Sequence, residues 1–145
     1  MEQMSNKKAN YVLKNYVIWR DVRIPAIEEQ LETVSPSFIA SYSSGSGGSG
    51  NGISNPTQRE SVQRDYLIGQ LMEFRRTVRI MAWIRDTLED DCVKLFDLLS
   101  DPKGHTRYEI EVATGLTTKE VRYRREKILK YMRETFDGLS LPLSS

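Results

Sequence analysis

Two stretches of the chain repeat apolar residues at the three- and four-residue spacing of a helix. The first runs over residues 6–34, and its apolar positions are Leu13, Val17, Ile24, Ile27 and Leu31. That spacing lines one side of an amphipathic helix. Pro25 interrupts the pattern, because proline lacks an N–H donor and crowds the preceding turn. The pattern predicts either a helix that ends near Arg23 with a second starting at Pro25, or one kinked helix.

The second and longest pattern runs from about Thr57 to Leu88, with Asn55 or Thr57 as its cap. Apolar residues alternate at steps of four and three, at Leu67, Leu71, Phe74, Val78 and Met81. This a/d spacing is typical of a packed helix seam. Two interpretations stay open at this point: the seam is the core face of a helical bundle within one chain, or it is the contact surface of a homodimer.

Between these stretches the composition changes abruptly to serine and glycine. Such a segment has little side-chain area to bury and predicts a flexible linker over residues 35–56. No stretch has the alternation of a strand, so the expected fold class is all-α. The expected division is an N-terminal helical segment (1–34), the linker (35–56), a long helix with a C-terminal helix-turn-helix (57–137) and a disordered tail (138–145).

The C-terminal part predicts three shorter elements. Residues 90–99 form an amphipathic pattern, and Asp101-Pro102-Lys103-Gly104 is a turn signal. A short helix follows with Ile110 and Ala113 facing inward, and Gly115 supplies a left-handed turn residue. Thr117-x-x-Glu120 has the form of a capping box, which starts a final helix with Val121 and Leu129 facing inward. This order of parts predicts a helix-turn-helix.

The outward side chains of that final helix are candidates for contact with double-stranded DNA. The N-terminal half of such a helix reaches base edges in the major groove, where arginine pairs bidentately with guanine. Lysines further along the helix are placed for backbone phosphates. The candidate DNA-binding residues are Thr117, Thr118, Lys119, Arg122, Tyr123, Arg125, Lys127 and Lys130.

Charge supports this hypothesis only when it is counted locally. The whole chain of 145 residues has a net charge of +1, from 21 basic and 20 acidic residues. Residues 117–133, however, contain seven basic and two acidic residues, a local net charge of +5. The local field matters more than the sum for phosphate binding. A near-neutral total therefore conceals a basic C-terminal helix.

The remaining residues give no sign of catalysis or of a bound cofactor. His105 is the single histidine and Cys92 the single cysteine, so neither has partners for a metal site or an intrachain disulfide. The stretch "GSGGSGNG" lacks the strand and the Lys-Ser/Thr ending of a phosphate-binding loop. No signal sequence or membrane-spanning run is visible. We therefore expect a cytoplasmic protein that is not an enzyme and binds neither metal nor cofactor.

The order of parts resembles the phage late-gene transcriptional activators of the ArpU/RinA type. The resemblance covers "NYVLKNYVIWRDVRIPAIEEQLE", a Gly-rich segment ending in "NPTQRE", the long helix "LIGQLMEFRRTVRIMAWIRDTLEDD" and the terminal "TGLTTKEVRYRREKILKYM". It implies a helix-turn-helix like sigma-factor region 4, in a protein that binds promoter DNA in the bacterial host. It also implies activation of packaging, structural or lysis genes with host RNA polymerase. "YEIEVATG" departs from the family pattern, in which the first helix is usually apolar or Ala-rich. Glu111 stands where a helix-turn-helix usually has a small apolar residue.

Two alternatives from other classes fit the same pattern. One is a DNA-packaging subunit resembling a small terminase, which also joins a helix-turn-helix to an oligomerising helix. The other is a helical oligomerisation adaptor that makes no contact with DNA. The Ser/Gly-rich stretch is either a fusion scar or a native connector, and the family layout, which has a Gly-rich segment at this place, favours the native connector.

Overall fold

The computed structural model describes residues 3–33 and 54–144, with side chains described over 3–33 and 59–139. Its elements are α1 (Asn6–Ile18), a π-helix (Trp19–Arg23), α2 (24–33), α3 (Ser54–Thr87), α4 (Asp90–Ser100), α5 (Arg107–Thr114) and α6 (Thr118–Ser144). None of these described residues belongs to a strand. The expected all-α class is confirmed.

The N-terminal helical pattern is interrupted by a π-helix that ends at Arg23. Residues 19–23 adopt the wider π turn, and helical residues continue at 24–33 with Pro25 in second place. Proline is tolerated in a first turn, where its missing N–H would have no helical partner. A π segment accommodates a local break in the hydrogen-bonding pattern. The break that Pro25 predicts is therefore present as a π-helix that ends at Arg23, and Pro25 lies in the first turn of the helix that follows.

The chain forms two compact units, which comprise Met1–Ile18 with Thr77–Ser145, and Trp19–Arg76. In the first unit α1 packs against α4 and α6, and α5 packs against α4 and α6. The ring centroids of Tyr16 and Phe96 are 5.8 Å apart. Ile128 and Met132 of α6 are fully buried. The expected segment 1–34 is thus divided, because the apolar side of α1 belongs to the core of the first unit.

The second unit has a small core of its own. Ile27 is buried with Leu67 and Leu71 of α3, and Ile24, Leu31 and Phe74 pack against this cluster. The rings of Trp19 and Phe74 lie 5.4 Å apart. Arg75 donates to Glu28 at 3.0 Å on the surface of this unit. The predicted apolar positions from Ile24 to Leu31 and from Leu67 to Phe74 therefore come together in the core of this unit.

Two expected boundaries shift. α3 begins at Ser54, so the last residues assigned to the linker are helical, while residues 34–53 lie outside the described part of the chain. α6 extends to Ser144, although a disordered tail was expected from residue 138. A single glycine costs a helix only about 1 kcal/mol relative to alanine. Gly138 therefore does not end α6. Phe136, two residues before it, is half-buried.

Candidate nucleic-acid interface

The helix α5 is held at both ends by local hydrogen bonds. At its start, the Glu109 N–H donates to Thr106 Oγ1 at 3.1 Å, and the Thr106 N–H donates to Glu109 Oε1 at 3.3 Å. At its end, Gly115 adopts a φ of 70° and its N–H donates to the carbonyl oxygen of Glu111. Only glycine takes that conformation without strain. The left-handed turn predicted at Gly115 is confirmed.

The start of α6 uses the same device. The Glu120 N–H donates to Thr117 Oγ1 at 3.2 Å, and the Thr117 N–H donates to Glu120 Oε1 at 3.4 Å. Together these bonds satisfy two of the backbone donors that a helix start leaves open. The capping box predicted at Thr117 is present. The matching box at Thr106 was missed, although the same Thr-x-x-Glu pattern marks it in the sequence.

A carboxylate links the two helices. Thr118 Oγ1 donates a hydrogen bond to Glu111 Oε1, and both residues are half-buried. Ile110 and Val121 are buried, which confirms the prediction that both side chains face inward. Glu111, which stands where a helix-turn-helix usually has a small apolar residue, therefore ties α5 to the first turn of α6. An apolar residue at this position would leave the Thr118 hydroxyl without that acceptor.

Five of the predicted DNA-binding side chains lie on one exposed face of α6. Positions 119, 123, 127 and 130 follow steps of four and three, which keep side chains on one side of a helix, and position 122 lies three residues after 119 at the edge of the same side. We call this the basic face: Lys119, Arg122, Tyr123, Lys127 and Lys130. Tyr123 is 69% exposed. Over the described residues, none of the four cations in this set forms an ion pair within the chain.

Thr118 and Arg125 do not point outward with that face. They are seven residues apart, two helical turns, and so share another side of α6. Arg125 Nη2 donates to Asn10 Oδ1 of α1 at 2.9 Å, and Thr118 bonds to Glu111. The outward orientation expected for both residues is therefore wrong, because this side of the helix faces α1 and α5. Asn10 is 115 residues from Arg125 in sequence, and no local pattern indicates that contact.

Another cation of the basic stretch is also engaged within the fold. Arg124 Nη1 bonds to Asp91 Oδ2 at the start of α4. This hydrogen bond is the main reason why the pKa of Arg124 is raised and that of Asp91 is lowered. The local charge of +5 therefore overstates what α6 presents to a partner.

The residues of the predicted oligomer seam are partly or fully covered by their own chain. Leu67 and Leu71 belong to the core of the second unit, and Met81 is completely buried in the first. Phe74 and Val78 are half-buried. This placement fits the interpretation of the seam as a core face. A homodimer contact through these residues stays a prediction.

His105 lies between two carboxylates beside the turn that precedes α5. Its Nε2 is 2.6 Å from Asp101 Oδ2 and its Nδ1 is 3.4 Å from Glu109 Oε2. The bond to Asp101, followed by that to Glu109, raises the pKa of His105. The pKa values of Asp101 and Glu109 are lowered, in each case mainly by a backbone N–H, from Lys103 and Thr106 respectively. His105 thus lies in the loop before α5, where it is half-buried and paired with two carboxylates.

Comparison of the chain with protein-family models, with curated proteins and with solved structures gave no match. Within residues 3–33 and 54–144, no helix is long and apolar enough to cross a membrane. The same described residues contain no group of three or more His, Cys, Asp or Glu side chains arranged to hold a metal ion.

Proposed function

We propose that this protein is a sequence-specific regulator of transcription that binds double-stranded DNA through the basic face of α6. The observation that carries the proposal is the row of exposed cations on that face. Over the described residues, Lys119, Arg122, Lys127 and Lys130 have no acidic partner in the chain. Neutralisation of phosphates by such cations, with release of counterions, supplies much of the affinity of a DNA-binding protein.

The arrangement of α5 and α6 supports a helix-turn-helix that presents the basic face to DNA. α5 ends at Thr114 and α6 begins at Thr118, and Gly115 makes the bend between them. In such a motif the N-terminal residues of the second helix contact base edges. We assign base contact to Arg122, with Lys119 and Tyr123 beside it, and phosphate contact to Lys127 and Lys130 further along the helix.

The resemblance to phage late-gene activators extends the proposal to a biological setting. It suggests activation of late genes together with host RNA polymerase in the bacterial cytoplasm. That part rests on the order of parts in the sequence alone. A homodimer belongs to the same proposal; a contact through Leu67, Leu71 and Met81, which are buried within the chain, would have to expose them.

A binding experiment with two matched variants tests the proposal. A target duplex is first selected from a randomised library with the parent protein, and affinity is then measured by fluorescence anisotropy over a range of salt concentrations. We expect Arg122→Ala to cost about 1–3 kcal/mol of binding free energy and to relax preference at one base position. Lys130→Ala should weaken binding to all duplexes evenly and reduce the salt slope by about 1. Parent-like binding by both variants contradicts the assignment of the basic face.

The same preparation separates the alternatives. A mass in solution that corresponds to a large ring of subunits favours a DNA-packaging subunit, whereas a monomer or dimer favours a regulator. An adaptor without DNA contact shows no salt-dependent binding to any duplex, including the random-sequence pool.

A further inference from the structure

A cleft of about 600 Å³ lies wholly within the first unit, beside the basic face. Residues of α1, α4, the turn before α5, α5 and α6 line it. We call it the basic cleft, defined by its four cationic side chains Lys14, Arg107, Arg122 and Arg125. Arg122 also belongs to the basic face, so the cleft and that face share a residue.

The positive charge of the basic cleft is largely uncompensated. Over the described part of the chain, Lys14, Arg107 and Arg122 form no ion pair, and all three are exposed. Asp101 is the carboxylate that lines the cleft, and it already accepts from His105 and from the Lys103 N–H. Like charges brought together in this way repel one another, and a bound anion relieves that repulsion.

The cleft also has features that strengthen and orient such an interaction. Leu98, Ile110 and Val121 contribute apolar wall, and a low-polarity wall concentrates the field of nearby charges. Arg125 is held in place by its bond to Asn10. A guanidinium fixed in advance loses less rotamer entropy when it binds an anion.

We infer that the basic cleft is a phosphate-binding site formed by Lys14, Arg107 and Arg125. Arginine presents a planar fork of N–H donors that matches two oxygens of a phosphate, and the three residues approach from three different helices. Because Arg122 is shared with the basic face, the phosphate is a phosphodiester of DNA that lies along α6. This choice of source rests on the proposed function, and it extends the DNA contact to α1 and α5. A free phosphate ester has the same chemistry and is the other source.

Lys14→Gln and Arg107→Gln test the inference, with Lys8→Gln as the matched control. Lys8 is also an exposed lysine of α1, but it lies about 120° around the helix from Lys14. Duplex affinity is measured against salt concentration, with thermal unfolding by circular dichroism to verify folding. We expect each cleft variant to reduce the slope of log K against log[salt] by about 0.9. The slope of Lys8→Gln should equal that of the parent.

A second arm of the experiment uses inorganic pyrophosphate as the probe and measures its binding by isothermal titration calorimetry. One outcome is that the parent and Lys8→Gln bind pyrophosphate, that Lys14→Gln does not, and that duplex binding is unchanged. This outcome assigns the cleft to a free phosphate ester. Unchanged salt slopes together with no pyrophosphate binding overturn the inference. Lys119→Ala and Tyr123→Ala, which lie outside the cleft, report on the basic face separately, so failure of the proposed function is recognised independently.

Discussion

Arg122 and Arg124 stand two residues apart on α6, yet their side chains have different surroundings. Arg122 is exposed and, over the described residues, has no carboxylate partner, whereas Arg124 is bonded to Asp91 of α4. The same contrast holds for the neighbours Lys127 and Ile128, one exposed and one completely buried. One side of the helix holds the fold together and the other is available to a partner. Net charge along the sequence does not distinguish the two.

The largest expected effect is a difference in stability between substitutions on the buried side and on the exposed side of α6. Ile128→Ala removes a completely buried side chain of α6 and should lower the free energy of unfolding by about 2–5 kcal/mol. Lys127→Ala, at the adjacent exposed position, should change it by less than about 0.5 kcal/mol. Urea unfolding followed by circular dichroism gives both values. Equal losses at the two positions would show that α6 is not divided in this way.

Next in size is a comparison of the two arginines in DNA binding and stability. Arg122→Ala should lose about 1–3 kcal/mol of binding free energy and leave stability unchanged. Arg124→Ala should bind DNA like the parent, and should lose only a little stability because its ion pair with Asp91 is partly exposed. Anisotropy titration and urea unfolding of the same samples make the test. Loss of DNA binding by Arg124→Ala would place that arginine at the interface.

The smallest effect concerns pH at the turn before α5. Because pairing raises the pKa of His105, its contribution to stability is present below the ordinary histidine pKa of about 6.5. That contribution is lost as pH rises through the raised pKa. Asp101 and Glu109, whose pKa values are lowered, remain charged down to acidic pH. The melting temperature of His105→Gln should therefore fall below that of the parent at mildly acidic pH and converge with it in alkaline solution.

Thermal unfolding across this pH range measures the difference directly. Lys8→Gln, which removes a cation far from this turn in sequence, is the control and should show a difference that does not vary with pH. A constant difference for His105→Gln would mean that its ion pairs contribute nothing to stability.

Local sequence patterns predicted much of this fold for physical reasons. Apolar spacing identified the helices, since burial on one side requires that period. Gly115 and the Thr117–Glu120 pair marked a helix end and a helix start, because both signals act within a few residues. The same local logic could have found the Thr106–Glu109 box.

Contacts between distant parts of the chain could not be predicted in the same way. The helix-turn-helix pattern predicts that Arg125 points outward, but Asn10 on α1 accepts its hydrogen bond. Arg124 likewise lies in the basic stretch, but its bond to Asp91 makes it unavailable to a partner. The apolar spacing does not indicate the π-helix at Trp19–Arg23, and the only local signal near it is the proline that follows. Each of these features depends on which helices pack together.

The first unit is built from both ends of the chain, and this has a consequence for the order of folding. Its bonds include the Met4 N–H to Asp137 Oδ1, across 133 residues, and Arg125 to Asn10, across 115. Most small helical domains have local contacts and fold fast, because little loop entropy is lost before contacts form. Here the apolar side of α1 stays uncovered during synthesis until α4 and α6 have been translated. A ribosome-bound chain that stops before α6 therefore exposes Leu13 and Tyr16, a surface that chaperones recognise.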